Sequence, residues 1–145
     1  MSPPGVAYRL GRTIYLALTN SCNAVSLIES RGPGFVIPPA SGFARLPEGY
    51  TPSAEEIHLA ALEVATGEYD GITFAGAGEP LLRLSVIEAS TPLLEELGVP
   101  LRVNTNGLVE KSGAPIVAKR LSDAGLSSVS VALAAADPEQ YTALM

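Results

Sequence analysis

The pattern of apolar and polar positions changes period several times along the chain, and the changes predict alternating strands and helices. Residues 13–19 alternate and are rich in strand-forming residues. Residues 51–67 instead place their apolar side chains on one helical face, with acidic residues in the first turn and a glycine at the end. The first part of the chain is therefore predicted to be a strand, a long connection and a helix.

The same alternation continues to the end of the sequence. Strands are predicted at 71–76, 101–106 and 127–133, and helices at 85–98, 114–125 and 137–145. At the start of the second predicted helix, Ser85 and Glu88 have the spacing of a capping box. The element order predicts a single α/β domain over residues 1–145, built from about four βα units with a parallel sheet and right-handed crossovers.

A long connection, about residues 20–52, separates the first strand from the first helix and is heavy in glycine, proline and serine. Connections of that length are uncommon in compact domains and are often functional. Cys22, the only cysteine of the chain, lies at its start and is followed at four and seven positions by Ser26 and Glu29.

The second, third and fourth predicted strands each have one apolar face and one small, polar face. In the third strand the two faces alternate, with Leu101, Val103 and Thr105 opposite Arg102, Asn104 and Asn106. A parallel sheet that is covered on both faces has nearly continuous hydrophobic strands, which these are not. The polar face therefore either lines a concavity that holds ligand or water, or is the solvated face of an open half-sheet, and the sequence leaves both alternatives open.

Composition narrows the possible partners and compartments. The 145 residues are 47 % hydrophobic and carry a net charge of −6, which disfavours a nucleic-acid partner because such proteins need a basic surface. A single cysteine permits no internal disulfide and fits a reducing compartment. The sequence has no run of roughly 18 apolar residues and no signal-peptide core at its start. We expect a cytoplasmic protein that does not enter a membrane.

Four short motifs lie at the carboxyl ends of the predicted strands, where parallel βα folds bind their ligands. They are TNSCN at 19–23, GAGEP at 76–80, NTNG at 104–107 and SVSVALAAADPEQY at 128–141. In this order they resemble the motifs of the radical S-adenosylmethionine (SAM) superfamily, and most closely those of the TatD-linked radical SAM proteins. The resemblance covers about residues 13–141.

The resemblance implies a parallel (β/α) partial barrel of the TIM type, that is, a half-barrel, and a SAM-binding site. The residues at the matching positions have three roles in the family. Some form the segment that receives the SAM amino group, others form the polar lining of the pocket, and one provides a hydroxyl group on the fourth strand. By resemblance, the cofactor-binding residues are Gly76, Gly78, Glu79, Pro80, Asn104, Thr105, Asn106 and Ser130.

The family also holds a [4Fe–4S] cluster with three cysteines spaced C-x3-C-x2-C. The matching positions here are Cys22, Ser26 and Glu29, so Cys22 is the only candidate metal ligand with a thiolate. Serine and glutamate offer hard oxygen ligands, whereas iron–sulfur clusters are held by soft thiolates. The chain also has alanine at 132 and 134, where the family has a serine and an asparagine. The resemblance thus implies a degenerate cluster site.

Three functions remain open at this point. The chain is a radical-SAM-like pseudoenzyme that retains part of a SAM or nucleotide pocket, or an active radical SAM enzyme with an atypical iron–sulfur cluster that cleaves SAM to a 5′-deoxyadenosyl radical. The third alternative is a non-catalytic interaction half-barrel. A barrel of four strands leaves the last strand as an exposed edge, which a second copy of the chain or a partner protein is expected to cover. No residue identifies a substrate.

Overall fold

A computed structural model describes residues 2–22, 41–108, 113–132 and 137–139. Among these residues the fold is α/β, with a five-stranded, mostly parallel sheet and three α-helices. The elements in chain order are β1 Ala7–Leu10, β2 Thr13–Ala17, α1 Ala54–Val64, β3 Gly71–Ala75, α2 Leu84–Leu94, β4 Leu101–Thr105, α3 Ala114–Ala124 and β5 Ser128–Val131. Short 3₁₀ turns at Pro80–Arg83 and Glu95–Leu97 flank α2.

The five strands lie in the sheet in the same order as in the sequence. β2, β3, β4 and β5 are parallel neighbours, and among the described residues one α-helix lies between each of these strands and the next. β1 pairs antiparallel with β2 across a two-residue turn. The sequence patterns did not predict β1, although Gly11, with a φ of 61°, stands at the first turn position, where a two-residue hairpin favours glycine.

The hydrophobic core lies between one face of the sheet and the helices. Burying each of its larger apolar side chains contributes about 1.5–3 kcal/mol, before chain entropy is counted. The predicted division of the strands into two faces is confirmed, because the pairing register places the buried apolar residues of neighbouring strands on the same side. On that side lie Ile14, Leu16, Ile72, Phe74, Leu101 and Val103, packed against Ile57, Ala60, Ile87, Leu94 and Leu121 of the helices.

The helix starts follow the predictions only in part. In α1, the Ser53 hydroxyl accepts a hydrogen bond from Glu56 N at 3.2 Å, and the Glu56 carboxylate accepts one from Ser53 N at 3.2 Å. The capping box predicted for Ser85 and Glu88 is wrong. The turn at 80–83 runs directly into α2, whose N-cap is Arg83 without a side-chain cap.

Several predictions fall wholly or largely outside the described residues. They include most of the long connection at 20–52, with Ser26 and Glu29, and most of the helix predicted at 137–145. Within the described part of the chain, no helix has the length and apolar character needed to cross a membrane.

Replacing Ser53 by alanine tests the cap of α1. The substitution removes an acceptor from the first turn, and we expect the free energy of unfolding to fall by about 1 kcal/mol. Ser85→Ala is the matched control, because Ser85 is exposed and caps nothing. Urea denaturation of both variants measures the difference. Equal loss in the two variants would contradict this assignment of the caps.

Candidate functional site

The side chain of Glu79 joins two of the motif segments at the carboxyl edge of the sheet. Only 3 % of Glu79 is exposed. One carboxylate oxygen accepts hydrogen bonds from Leu81 N and from the Thr105 hydroxyl, both at 2.8 Å. The other oxygen accepts from Asn106 N at 2.7 Å. The glutamate of GAGEP therefore fixes the start of the turn after β3 and the NTNG segment after β4.

The backbone at Gly78 and Glu79 contacts a further motif segment, TNSC, which follows β2. Glu79 N donates to the Ser21 carbonyl at 2.8 Å. Gly78 lies so close to the same segment that an added Cβ would be 2.3 Å from the Thr19 carbonyl oxygen and 2.5 Å from that of Ser21. Only glycine permits this approach of one backbone to another. The segments TNSC, GAGEP and NTNG thus meet at one edge.

Cys22 lies at this same edge and contacts the last of the three segments. The side-chain amide of Asn106 donates to Cys22 Sγ at 3.6 Å, between residues that are 84 positions apart in sequence. The Asn106 side-chain oxygen accepts from Leu108 N at 2.9 Å. The structure therefore brings the candidate metal ligand together with the candidate cofactor segments.

The [4Fe–4S] cluster implied by the resemblance does not fit the donors that this chain offers. Three thiolates hold such a cluster in the family, and this chain has one cysteine. Among the described residues, no group of three or more histidine, cysteine, aspartate or glutamate side chains is placed to hold a metal ion.

The remaining candidate residues occupy different positions around the edge. Thr105 is on the helix-facing side of β4, and its hydroxyl is bound to Glu79. Pro80 is buried and begins the 3₁₀ turn, and Gly76 packs against β2. Asn104 and Ser130 are paired in register on the polar face, where Arg102 donates a hydrogen bond to the Ser130 hydroxyl.

Aromatic side chains cover part of the polar face. The rings of Tyr8 and Tyr15 are stacked with centroids 5.3 Å apart, and Phe43 meets Tyr8 edge-on at 5.1 Å. Burial, reinforced by the neighbouring Tyr15, holds the pKa of Tyr8 far above its ordinary value. Tyr8 is therefore a neutral phenol near pH 7. Sequence reasoning missed this stack because Tyr8 belongs to the hairpin strand that was not predicted.

Arg83 is a second feature that the sequence did not reveal. Its guanidinium donates to the Leu18 carbonyl at 2.8 Å and to the Pro52 carbonyl at 2.6 Å, which ties the end of β2 to the start of α1. Partial burial lowers the pKa of Arg83. Both acceptors are backbone oxygens, which every residue carries, so no residue pattern could have identified this contact in advance.

Comparison with known proteins adds no family assignment. The sequence matches no protein-family model, and no curated protein matches it.

Glu79→Gln tests whether the buried carboxylate holds the edge together. The amide of glutamine has one acceptor oxygen where the carboxylate has two. Its NH₂ group must therefore face at least one of the groups that now donate a hydrogen bond to the carboxylate, and that hydrogen bond is lost. We expect the free energy of unfolding to fall by about 2–3 kcal/mol. Glu68→Gln, at a side chain that is 83 % exposed, is the charge-matched control and should leave the unfolding midpoint nearly unchanged. Denaturant titration measures both, and a Glu79→Gln midpoint equal to that of the control would contradict this role.

Proposed function

We propose that the chain is a radical-SAM-like half-barrel that binds SAM, or a related adenosyl nucleotide, at the carboxyl edge of its sheet without an iron–sulfur cluster. The observation that carries the proposal is the meeting of the TNSC, GAGEP and NTNG segments around Glu79. The motif resemblance consists of these same segments in this order.

The architecture supports the same proposal. The parallel strands follow one another in sequence order, with their apolar sides against the helices and their polar sides on the other face. A (β/α) barrel is built from units of this kind, and its ligands bind at the carboxyl ends of the strands. In the proposal the described sheet forms one wall of a half-barrel, and its polar face is the inner surface.

The residues at the edge have distinct roles in this proposal. Glu79 is a positioning residue, because its carboxylate is almost fully buried and already accepts three hydrogen bonds. Contacts to the nucleotide come from side chains that are less buried, namely those of Asn106 and Ser130, and from the backbone of the GAGEP segment. The expected activity is binding, because the chain lacks the three thiolates that would hold an electron-donating cluster for SAM cleavage.

Calorimetric titration with SAM and S-adenosylhomocysteine tests the proposal. We expect one site per chain. Asn106→Ala should weaken binding on the order of tenfold, because it removes one side chain at the edge while leaving the backbone bond to Glu79. Glu68→Gln is the control and should bind like the unaltered protein. If the folded, unaltered protein shows no binding of either nucleotide, the proposal is wrong.

Anaerobic reconstitution with iron and sulfide tests the claim that no cluster is held. We expect no stoichiometric iron, since one thiolate is available. About four irons and four sulfides per chain, lost in Cys22→Ser and accompanied by 5′-deoxyadenosine production after reduction, would overturn this part and favour an active enzyme with an atypical cluster.

A second candidate function is a half-barrel that another protein completes. The exposure of apolar side chains on β5 favours it. Val129 and Val131 lie on the apolar side of the sheet, yet 45 % and 52 % of their surfaces are exposed. Among the described strands, β5 pairs only with β4. Sedimentation over a concentration series tests this function. Self-association that Val129→Lys abolishes would support it, and a strictly monomeric protein that recruits no partner would contradict it.

A further inference from the structure

A cavity of about 350 Å³ opens on the polar face of the sheet, at the end opposite the Glu79 cluster. Residues from the first and middle parts of β2 and β3, from the start of β5 and from Arg102 to Asn104 of β4 form its walls, together with the residues just before β3 and β4. Its principal polar side chains are Thr13, Tyr15, Thr73, Arg102, Asn104 and Ser128. Asn104 and Ser128 belong to two of the four motif segments, whereas Arg102 and Tyr15, the cationic and aromatic side chains of the cavity, lie outside all four.

Arg102 gives the cavity a positive charge that no described carboxylate neutralises. Its guanidinium donates to the Ser130 hydroxyl, and it forms no ion pair with any residue in the described ranges. Asp70 also lines the cavity, but its carboxylate is paired with Arg12 at 3.0 Å. A guanidinium presents a fork of N–H donors that matches a carboxylate or phosphate group.

Asn104 adds a side-chain oxygen that accepts no hydrogen bond from the described residues. Its side-chain oxygen is buried and has no hydrogen-bond partner in the described part of the chain. Buried polar atoms are nearly always hydrogen-bonded, and an exception calls for a specific explanation. The Asn104 residue is only partly buried and lines the cavity, so a small rotation of its side chain would turn this oxygen toward a bound hydroxyl group, which would supply the missing donor. Arg102 and Asn104 alternate on β4 and lie on the same face of the sheet, so one small molecule can reach both.

Gly71 keeps the cavity open. Its φ is not in the left-handed region, and an added Cβ would meet nothing nearer than the Pro100 carbonyl oxygen at 3.9 Å. Neither backbone conformation nor close packing therefore requires glycine at this position. Thr13 and Gly71 are paired in register at the cavity wall, so a side chain on Gly71 would occupy the space beside Thr13.

We propose that this cavity binds a small organic oxyanion that carries a hydroxyl group. The oxyanion lies against Arg102, and the ligand hydroxyl donates to the Asn104 side-chain oxygen. Thr13, Tyr15 and Ser128 also line the cavity, and each of these residue types carries a hydroxyl group. The anionic group is a carboxylate or a phosphate. This site goes beyond the nucleotide site proposed above and does not depend on it, and the two sites adjoin at Ser130, whose hydroxyl accepts from Arg102.

Four probes separate the requirements for charge and for the hydroxyl group. D-glycerate and glycerol 3-phosphate carry both, glycerol carries hydroxyls without the anion, and inorganic phosphate carries the anion without an alcohol. In calorimetric titrations at fixed salt, we expect glycerate or glycerol 3-phosphate to bind at least about tenfold more tightly than glycerol and inorganic phosphate. The tighter of the two identifies the carboxylate or the phosphate as the natural group.

Two variants locate the binding to the cavity. Arg102→Gln should weaken binding of the tighter probe on the order of tenfold or more, whereas Lys119→Gln makes the same charge change at an exposed residue of α3 and should have no effect. Gly71→Ala and Gly71→Val should reduce binding progressively as they fill the cavity. Both should fold with an unchanged or higher melting temperature, because alanine and valine suit an unstrained strand position better than glycine.

The outcomes distinguish this site from the nucleotide site. Loss of glycerate or glycerol 3-phosphate binding in Gly71→Val, with SAM binding unchanged, supports two separate sites. If SAM does not bind but the oxyanion does, the nucleotide proposal fails and this one stands. The proposal is overturned if neither oxyanion binds the unaltered protein, or if binding survives both Arg102→Gln and Gly71→Val.

Discussion

The buried carboxylate of Glu79 is the interaction on which the carboxyl edge of this sheet depends. Removing a charge from water is costly unless hydrogen bonds replace its hydration, and here three donors of the chain do so. Those donors come from the turn after β3 and from the end of β4. Because Gly78 also packs on the segment after β2, three otherwise separate loops are held in a single arrangement.

The two ends of the polar face differ in how their polar groups are used. At the carboxyl end, Glu79, Thr105 and Asn106 bind one another, so the chain satisfies most of its own donors and acceptors there. In the cavity, which extends from the amino end along β4, Arg102 and Asn104 keep hydrogen-bonding capacity that the described residues do not use. The first end therefore has its polar groups bound within the chain, whereas the second leaves an acceptor and a guanidinium with capacity for further hydrogen bonds.

Sequence patterns predicted those features that depend on local periodicity. The parallel strands, the three described helices and the apolar side of β4 follow from alternation and helical spacing. The contact between Asn106 and Cys22 joins residues 84 positions apart, and the arrangement of the cavity likewise depends on which strands become neighbours. The Ser85 prediction shows that a local pattern can also mislead. The sequence has the spacing of a capping box there, but the 3₁₀ turn before α2 starts the helix earlier, and no such cap forms.

The antiparallel strand β1 limits how the sheet can close. In a closed parallel barrel the last strand would pair with the free edge of β2, but β1 already occupies that edge from Ala7 to Leu10. Strands added beyond β5 would therefore meet β1 instead of completing a parallel ring. Any closure that kept this hairpin in place would therefore include the antiparallel β1–β2 pair, which interrupts the parallel hydrogen-bonding pattern at that one position.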